Sequence, residues 1–268
     1  MATRPLALVT GASAGIGAEF AHQLAEAGYD LAITARRRER LEMLAEKLQQ
    51  THGTECHIIV ADLADPAAPA AICKELAATG RSAELLINNA GYAIAGVYHQ
   101  TEWEEQARFL QVMVTAVAEL SHRLLPEMRE LGRGGIINVA SLAGIVPGSS
   151  GHTLYAASKA FMISFSESLA MENAHKGVCI QALCPGFTYS EFHDVVGTRD
   201  IVSRLPKYMW MNADQVVRFS LARFGKPNAP VMAVPGRWNR FLAMLARKLP
   251  YRTAFNLVRK RSSEFRHQ

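Results

Sequence analysis

Apolar positions along the chain alternate between two rhythms. Short, almost unbroken runs appear at Leu6-Ala7-Leu8-Val9, Asp30-Leu31-Ala32-Ile33-Thr34-Ala35, Ile58-Ile59-Val60-Ala61 and Leu85-Leu86-Ile87-Asn88. They recur at Gly135-Ile136-Ile137-Asn138-Val139, Cys179-Ile180-Gln181-Ala182-Leu183 and Pro230-Val231-Met232-Ala233-Val234. A run with no polar face reads as a strand covered on both sides. Between the runs apolar residues return at intervals of three and four, as at Ile16, Phe20, Leu24 and Ala27, the spacing of a helix with one buried face. Strand and helix in alternation predict an α/β chain with one doubly wound parallel sheet and helices on both faces. No Gly/Ser-rich linker and no internal repeat divides it. Residues 1–235 are therefore expected to form one domain, and residues 236–268 a basic amphipathic helical extension.

The first strand runs straight into Thr10-Gly11-Ala12-Ser13-Ala14-Gly15-Ile16-Gly17, and the first helix begins at once. A glycine-rich strand-to-helix turn lets the backbone approach an anion, and the open N–H groups and dipole of the helix favour a pyrophosphate. The dinucleotide-binding (Rossmann) architecture places such a turn first. The spacing here is Gly-x-x-x-Gly-x-Gly. Candidate contacts are Gly11, Ser13, Ala14, Gly15, Ile16 and Gly17.

The second strand ends in Arg36-Arg37-Arg38. An acid at this point would bind the ribose hydroxyls of NAD, whereas an arginine accommodates the 2′-phosphate of NADP. The first acid is Glu39, so Arg36 and Arg37, with Ser13 as a third contact, predict NADP(H). Arg38 and Arg40 are read as a solvated helix face.

Further along, Tyr155 and Lys159 stand four residues apart, fourteen residues after Ser141. On a helix this spacing puts a phenol and an ammonium on one face. A nearby cation favours phenolate and lowers the tyrosine pKa, as proton transfer near neutral pH requires.

These pieces stand in an order that resembles the classical short-chain dehydrogenases/reductases. The matching segments are the glycine turn, Asp62-Leu63 after the third strand, Asn88-Asn89-Ala90-Gly91 after the fourth, Ser141 after the fifth, Tyr155 and Lys159 on the next helix, and Pro185-Gly186 after the sixth. The resemblance implies an NADP-dependent carbonyl reductase or alcohol dehydrogenase. It implies that Asp62 and Leu63 meet the adenine, that Asn89, Ala90 and Gly91 line the cofactor, and that Pro185, Gly186 and Thr188 flank the nicotinamide. Ser141 would hold the substrate oxygen and Tyr155 would carry the proton. Lys159 would hold the nicotinamide ribose and depress the tyrosine pKa. A dimer or tetramer is the assembly implied. One position departs from the pattern: Met113 stands where the family usually carries an asparagine that holds a water of the proton relay. A catalytically weak NADP-binding sensor or interaction protein is the alternative function.

The segment from about Phe187 to Met211 offers Tyr189, Phe192, Val195, Val196, Leu205, Tyr208, Met209, Trp210 and Met211. In the position of a lid, so many large apolar groups predict a lipophilic ketone or secondary alcohol. Beyond Gly236 the charge changes. Nine Lys/Arg and one acid, Glu264, give this tail net +8, against +5 for the whole chain. Phe241, Leu242, Leu245 and Leu249 share one side of a helix there. A basic amphipathic helix can lie on an anionic membrane or dock on its own fold or a sister subunit. Nothing resembles a nucleic-acid reader. Apolar residues make up 49% of the chain and charged ones 20%, usual for a globular protein. The four cysteines have no metal spacing, no leader-like segment precedes the first strand, and no apolar run approaches membrane-spanning length. A cytoplasmic, reducing location is expected.

Overall fold

The computed structural model describes residues 4–94, 96–148, 150–151, 153–191 and 206–262. Of the residues named above, Phe192, Val195, Val196 and Leu205, together with Glu264 and the end of the tail, lie outside the described residues.

The predicted apolar runs all become strands of one sheet: β1 (Leu6–Thr10), β2 (Asp30–Ala35), β3 (Cys56–Val60), β4 (Ala83–Asn88), β5 (Gly135–Val139) and β6 (Cys179–Leu183), with the shorter β9 (Met232–Ala233) at one edge. Their order is β3-β2-β1-β4-β5-β6-β9 and every pairing is parallel. Parallel neighbours need crossovers, and helices supply them on both faces. On one face α1 (Gly15–Glu26) and α2 (Arg38–His52) join α7 (Ala213–Leu221), burying Phe20, Leu24, Leu41, Leu48, Val216 and Val217 against Val9, Ile33 and Ile87. On the other, α3 (Ala68–Ala78), α5 (Ala116–Leu131) and α6 (Thr153–Asn173) bury Ile72, Leu76, Leu120 and Met162 against Leu8, Leu86 and Ile136.

The chain winds one way from β1 to β3 and the other way from β4 onward. That reversal opens a crevice beyond the carboxyl ends of β1 and β4, where α/β sheets hold their ligands. Polar side chains brace the sheet beside it. Asn88 Nδ2 donates to Asn138 Oδ1 at 2.9 Å and to Ser121 Oγ at 3.1 Å, and Asn138 Nδ2 donates to Ser166 Oγ at 2.9 Å. All four residues are buried, so the chain of bonds ties β4 and β5 to α5 and α6.

Three features differ from expectation. The helix before β5 is interrupted: α4 (Trp103–Leu110) passes through a π-turn, Gln111–Thr115, before α5. Such turns concentrate near functional sites, and this one carries Met113. The lid segment begins and ends in a parallel strand pair, β7 (Phe187–Tyr189) with β8 (Trp210–Asn212), in which Phe187 faces Trp210 and Tyr189 faces Asn212. Finally, the tail forms α8 (Arg237–Lys248) and α9 (Tyr251–Ser262), but the residues α8 buries are Asn239 and Ala243. Phe241, which the sequence placed on one helical face with Leu242, Leu245 and Leu249, is exposed while those three are half-buried. Small side chains let α8 sit close to the body, which turns Phe241 outward.

Candidate active site

The glycine turn is shaped by contacts that no side chain could tolerate. Gly11 and Gly15 have φ of +66° and +57°, the left-handed region that glycine enters freely. A Cβ at Gly17 would come within 2.3 Å of Gly11 O. The turn is fastened to the end of β4 from both sides. Asn89 Nδ2 donates to Thr10 O at 2.9 Å and to Gly11 O at 3.3 Å, while Thr10 Oγ1 accepts from the backbone N–H groups of Asn89 and Ala90. Helix α1 begins on Ala14, whose side chain caps nothing, and its first turn holds no acid. Its leading N–H groups are thus free of side-chain caps, which suits a phosphate.

Beside the turn stands an arginine pair. Arg37 Nη2 donates to Ser13 Oγ at 3.0 Å, and Arg37 Nη1 meets Glu191 Oε2 at 3.0 Å. Arg40 binds the other oxygen of Glu191. The two guanidinium groups hold the Glu191 carboxyl below the usual carboxylate range. This corrects the sequence reading of Arg40, which belongs with Arg37 and is not merely solvated, because it lies one helical turn further on. Arg36 is exposed at the end of β2. The pairing with Arg38 falls to Glu42, at 3.8 Å.

On the far side of the crevice, Asp62 Oδ1 accepts from Ala64 N at 3.0 Å and Oδ2 meets Arg108 at 3.4 Å, with Leu63 buried next to it. Gly91 packs on the fully buried Met113: a Cβ there would come within 2.9 Å of Met113 Sδ. The methionine thus fills its place with sulfur and brings no amide.

Ser141, Tyr155 and Lys159 converge at the carboxyl ends of β5 and β6. Ser141 leaves β5 in extended conformation and its Oγ accepts from Ala143 N at 3.1 Å. The following Gly144 lies so close to α6 that a Cβ would reach within 2.5 Å of the Lys159 carbonyl carbon. Leu142 N donates to Pro185 O at 2.8 Å. The serine loop is therefore clamped between α6 and the turn after β6. Across it Ser141 hydrogen-bonds the Tyr155 phenol.

The lysine acts differently from its predicted role. Lys159 is buried, its Nζ donating to Val139 O at 2.7 Å and lying 5.7 Å from the Tyr155 ring centroid. Burial pulls its pKa from 10.5 down to about 7, opposed in part by Cys184. Burial pushes the Tyr155 phenol up, and the bond from Ser141 only partly offsets this. The unliganded site therefore holds a protonated phenol beside an ammonium that titrates near neutrality. A cation-depressed tyrosine is not what it presents, because desolvation outweighs a charge that is itself half suppressed.

Pro185 and Thr188 are buried beyond β6, and Thr188 Oγ1 donates to Gly186 O at 3.1 Å. Asn239 of α8 packs on this turn: a Cβ at Gly186 would come within 2.5 Å of Asn239 Oδ1. No sequence pattern singled out Asn239 or Glu191. Next to Tyr155 a small pocket is lined by Ile94, Tyr98, Gln106, Phe109 and Leu154.

The short chain dehydrogenase family profile matches residues 5–200. The chain belongs to this family. Among its relatives is the 3-oxoacyl-(acyl-carrier-protein) reductase FabG of Staphylococcus aureus, 32% identical over 221 residues, or 82% of this chain and 85% of that protein. A sulfoacetaldehyde reductase of Chromohalobacter salexigens is 38% identical over 186 residues, covering 69% and 72%. Among solved structures, a short-chain dehydrogenase from Sphingobium yanoikuyae in complex with NADPH superposes with a TM-score of 0.79 at 32% identity, covering 92% of this chain and 96% of that one. The family accounts for the sheet order and for the chain positions of the serine, tyrosine and lysine.

Proposed function

We propose that this protein is an NADP-dependent oxidoreductase that interconverts a lipophilic ketone and its secondary alcohol, with Tyr155 as general acid and base. The observation that carries the reading is the Ser141–Tyr155 hydrogen bond, backed by buried Lys159 and set beside a side-chain-free glycine turn. The residues suit the cofactor. Gly11, Gly15 and Gly17 leave room for a pyrophosphate against the uncapped start of α1. The Arg37–Arg40 pair already grips an anion, the Glu191 carboxylate, at the distance along the chain where a 2′-phosphate is read. NADPH supplies the hydride when bound. Asp62 and Leu63 would hold the adenine, Asn89, Ala90 and Gly91 the middle of the cofactor, and Pro185, Gly186 and Thr188 the nicotinamide side. Lys159 would hold the ribose. Ser141 would donate to the substrate oxygen while Tyr155 gives it a proton in reduction, or takes one in oxidation.

The named activities of the two relatives span an acyl carrier substrate and a small sulfonated aldehyde, so they do not choose the substrate here. What supports a lipophilic substrate is the run of large groups in the segment after β6, where Tyr189, Tyr208, Met209, Trp210 and Met211 gather. Oxidation of NADPH followed at its absorbance, against a panel running from small polar to bulky apolar ketones, tests the proposal. Turnover should rise along that panel. Binding of NADPH with no consumption across the whole panel would leave the sensor reading, which buried Met113 favours.

Arginine 37 yields a sharper expectation. Arg37→Ala removes one charged partner of the phosphate and should weaken NADPH binding by roughly ten- to a hundredfold, since such bonds contribute about 1.5–3 kcal/mol. NADH binding should hardly change. Glu191→Gln should do the opposite and tighten NADPH, because a competing anion is gone. Fluorescence titration of both cofactors measures this, and equal losses for NADPH and NADH in Arg37→Ala would remove the phosphate role.

A further inference from the structure

Helix α8 uses one of its two buried positions for a polar side chain, Asn239, and the other for Ala243. A buried amide is costly unless its polar atoms find partners. Asn239 Nδ2 donates to Pro235 O at 2.9 Å and to Met211 Sδ at 3.7 Å. Both N–H groups are thereby used, which fixes how the amide is turned. Its other face lies on Gly186, where a Cβ would come within 2.5 Å of Asn239 Oδ1 and 2.7 Å of Nδ2. A Cβ at Gly236 would come within 2.8 Å of Met211 Sδ and 3.2 Å of Asn239 Nδ2. The amide is wedged between two glycines, neither of which has room for a methyl group.

The segments that meet on this amide all border the active site. Gly186 stands directly before β7, and Met211 lies in β8 opposite Thr188 of β7. One side chain thus touches both roots of the lid segment. The Pro185-Gly186 turn is held from its other side by Leu142 N, which donates to Pro185 O at 2.8 Å. Contacts therefore run unbroken from Asn239 through Gly186, Pro185 and Leu142 to Ser141. An apolar side chain would dock α8 on the body without any of this. An amide with two directed bonds sets a distance and an angle as well. The family profile ends at residue 200, so position 239 lies beyond what it describes.

Resting on the reading of Pro185, Gly186 and Thr188 as the nicotinamide side, we propose that Asn239 is a positioning residue for the nicotinamide half of the cofactor. It backs the Pro185-Gly186 turn directly and Thr188 through Met211. The C-terminal extension then completes the active site, although its sequence carries none of the catalytic groups.

Calorimetric titration with NADPH and with 2′,5′-ADP tests this on the full chain. The second ligand carries the adenine and the 2′-phosphate but no nicotinamide, so it reads the Arg37 end alone. Asn239→Ala should weaken NADPH by about tenfold, on the order of one lost hydrogen bond, and leave 2′,5′-ADP within about twofold. Turnover should fall roughly ten- to a hundredfold, the scale of a misplaced reacting group. Gly186→Ala leaves α8 intact and drives a methyl group at the amide, so it should give the same pattern even where Asn239→Ala does not fold. The double variant withdraws the amide and admits the methyl, and should bind NADPH at least about threefold better than Gly186→Ala alone. Equal losses for both ligands in either single variant would mark a merely structural role and overturn the proposal. So would undiminished NADPH binding, or a double variant whose loss is the product of the two single losses. The binding arms stand even if no ketone is turned over. Wild-type protein that binds neither ligand would fell the NADP reading, and Asn239's role with it.

Discussion

Tyr155→Phe removes one hydroxyl and is expected to lower turnover by about a thousandfold, within the 10²- to 10⁴-fold range of a lost general acid, while the NADPH dissociation constant stays within about twofold. The phenylalanine keeps the ring, so the packing against α6 survives. What disappears is the phenol hydroxyl hydrogen-bonded to Ser141. The direction of its pKa adds a second, independent expectation. Burial pushes the phenol above its ordinary value of 10.0, so through the neutral range it is a proton donor in nearly every molecule. Reduction should therefore show no loss of rate from tyrosine ionisation between about pH 6 and pH 9. Oxidation needs the phenolate, and its rate should climb about tenfold per pH unit over the same range. A Tyr155→Phe enzyme that keeps a tenth or more of wild-type turnover would assign the proton to another group, and an oxidation rate flat with pH would show that the phenol is already ionised.

The sheet was legible because each strand is a run with no polar face, flanked by helical spacing, and nothing else in a chain of this length packs that way. The glycine turn was legible for a related reason: Gly11, Gly15 and Gly17 leave a footprint of missing side chains that any reader of spacing can see. Arg37 was half legible. Spacing named two candidates at the end of β2, but which guanidinium reaches Ser13 depends on where α2 begins, and that start falls at Arg38. Arg40 and Glu191 were invisible, since 151 residues separate them and only the folded chain brings them together. The tail was legible only as amphipathic. Helical spacing put Phe241, Leu242, Leu245 and Leu249 on one face, whereas close approach of the helix favours the small Ala243 and the hydrogen-bonding Asn239. The error on Lys159 is of another kind. Spacing placed it correctly on the face of Tyr155, but spacing says nothing about desolvation, and it is the depth of the site that sets the charge of the lysine and the acidity of the phenol.

That depth makes a claim about stability as well as catalysis. Lys159→Met should abolish activity and at the same time make the protein harder to unfold at pH 6. The lysine has a pKa of 10.5 when free and about 7 when folded. Below pH 7 both states carry the proton, and the folded one bears the full cost of a buried ammonium, about 5 kcal/mol. Between pH 7 and 10.5 the unfolded chain holds more protons than the folded one, so stability rises with pH across that window. From pH 6 to pH 9 the recovery amounts to about 3 kcal/mol. Methionine fits the stem of the lysine but leaves Val139 O without its donor, a loss of about 1–3 kcal/mol at every pH. The variant should therefore exceed wild type by roughly 2–4 kcal/mol at pH 6, and most of that margin should vanish by pH 9. The raised thiols of Cys56, at about 11, and Cys184, at about 12, pull stability down above pH 9. They do so in both proteins, and largely cancel from the difference. Urea unfolding of the two at pH 6 and pH 9 reads the result directly. A margin that does not shrink with pH would mean that Lys159 keeps its proton throughout, and the site would then hold a permanent cation beside Tyr155.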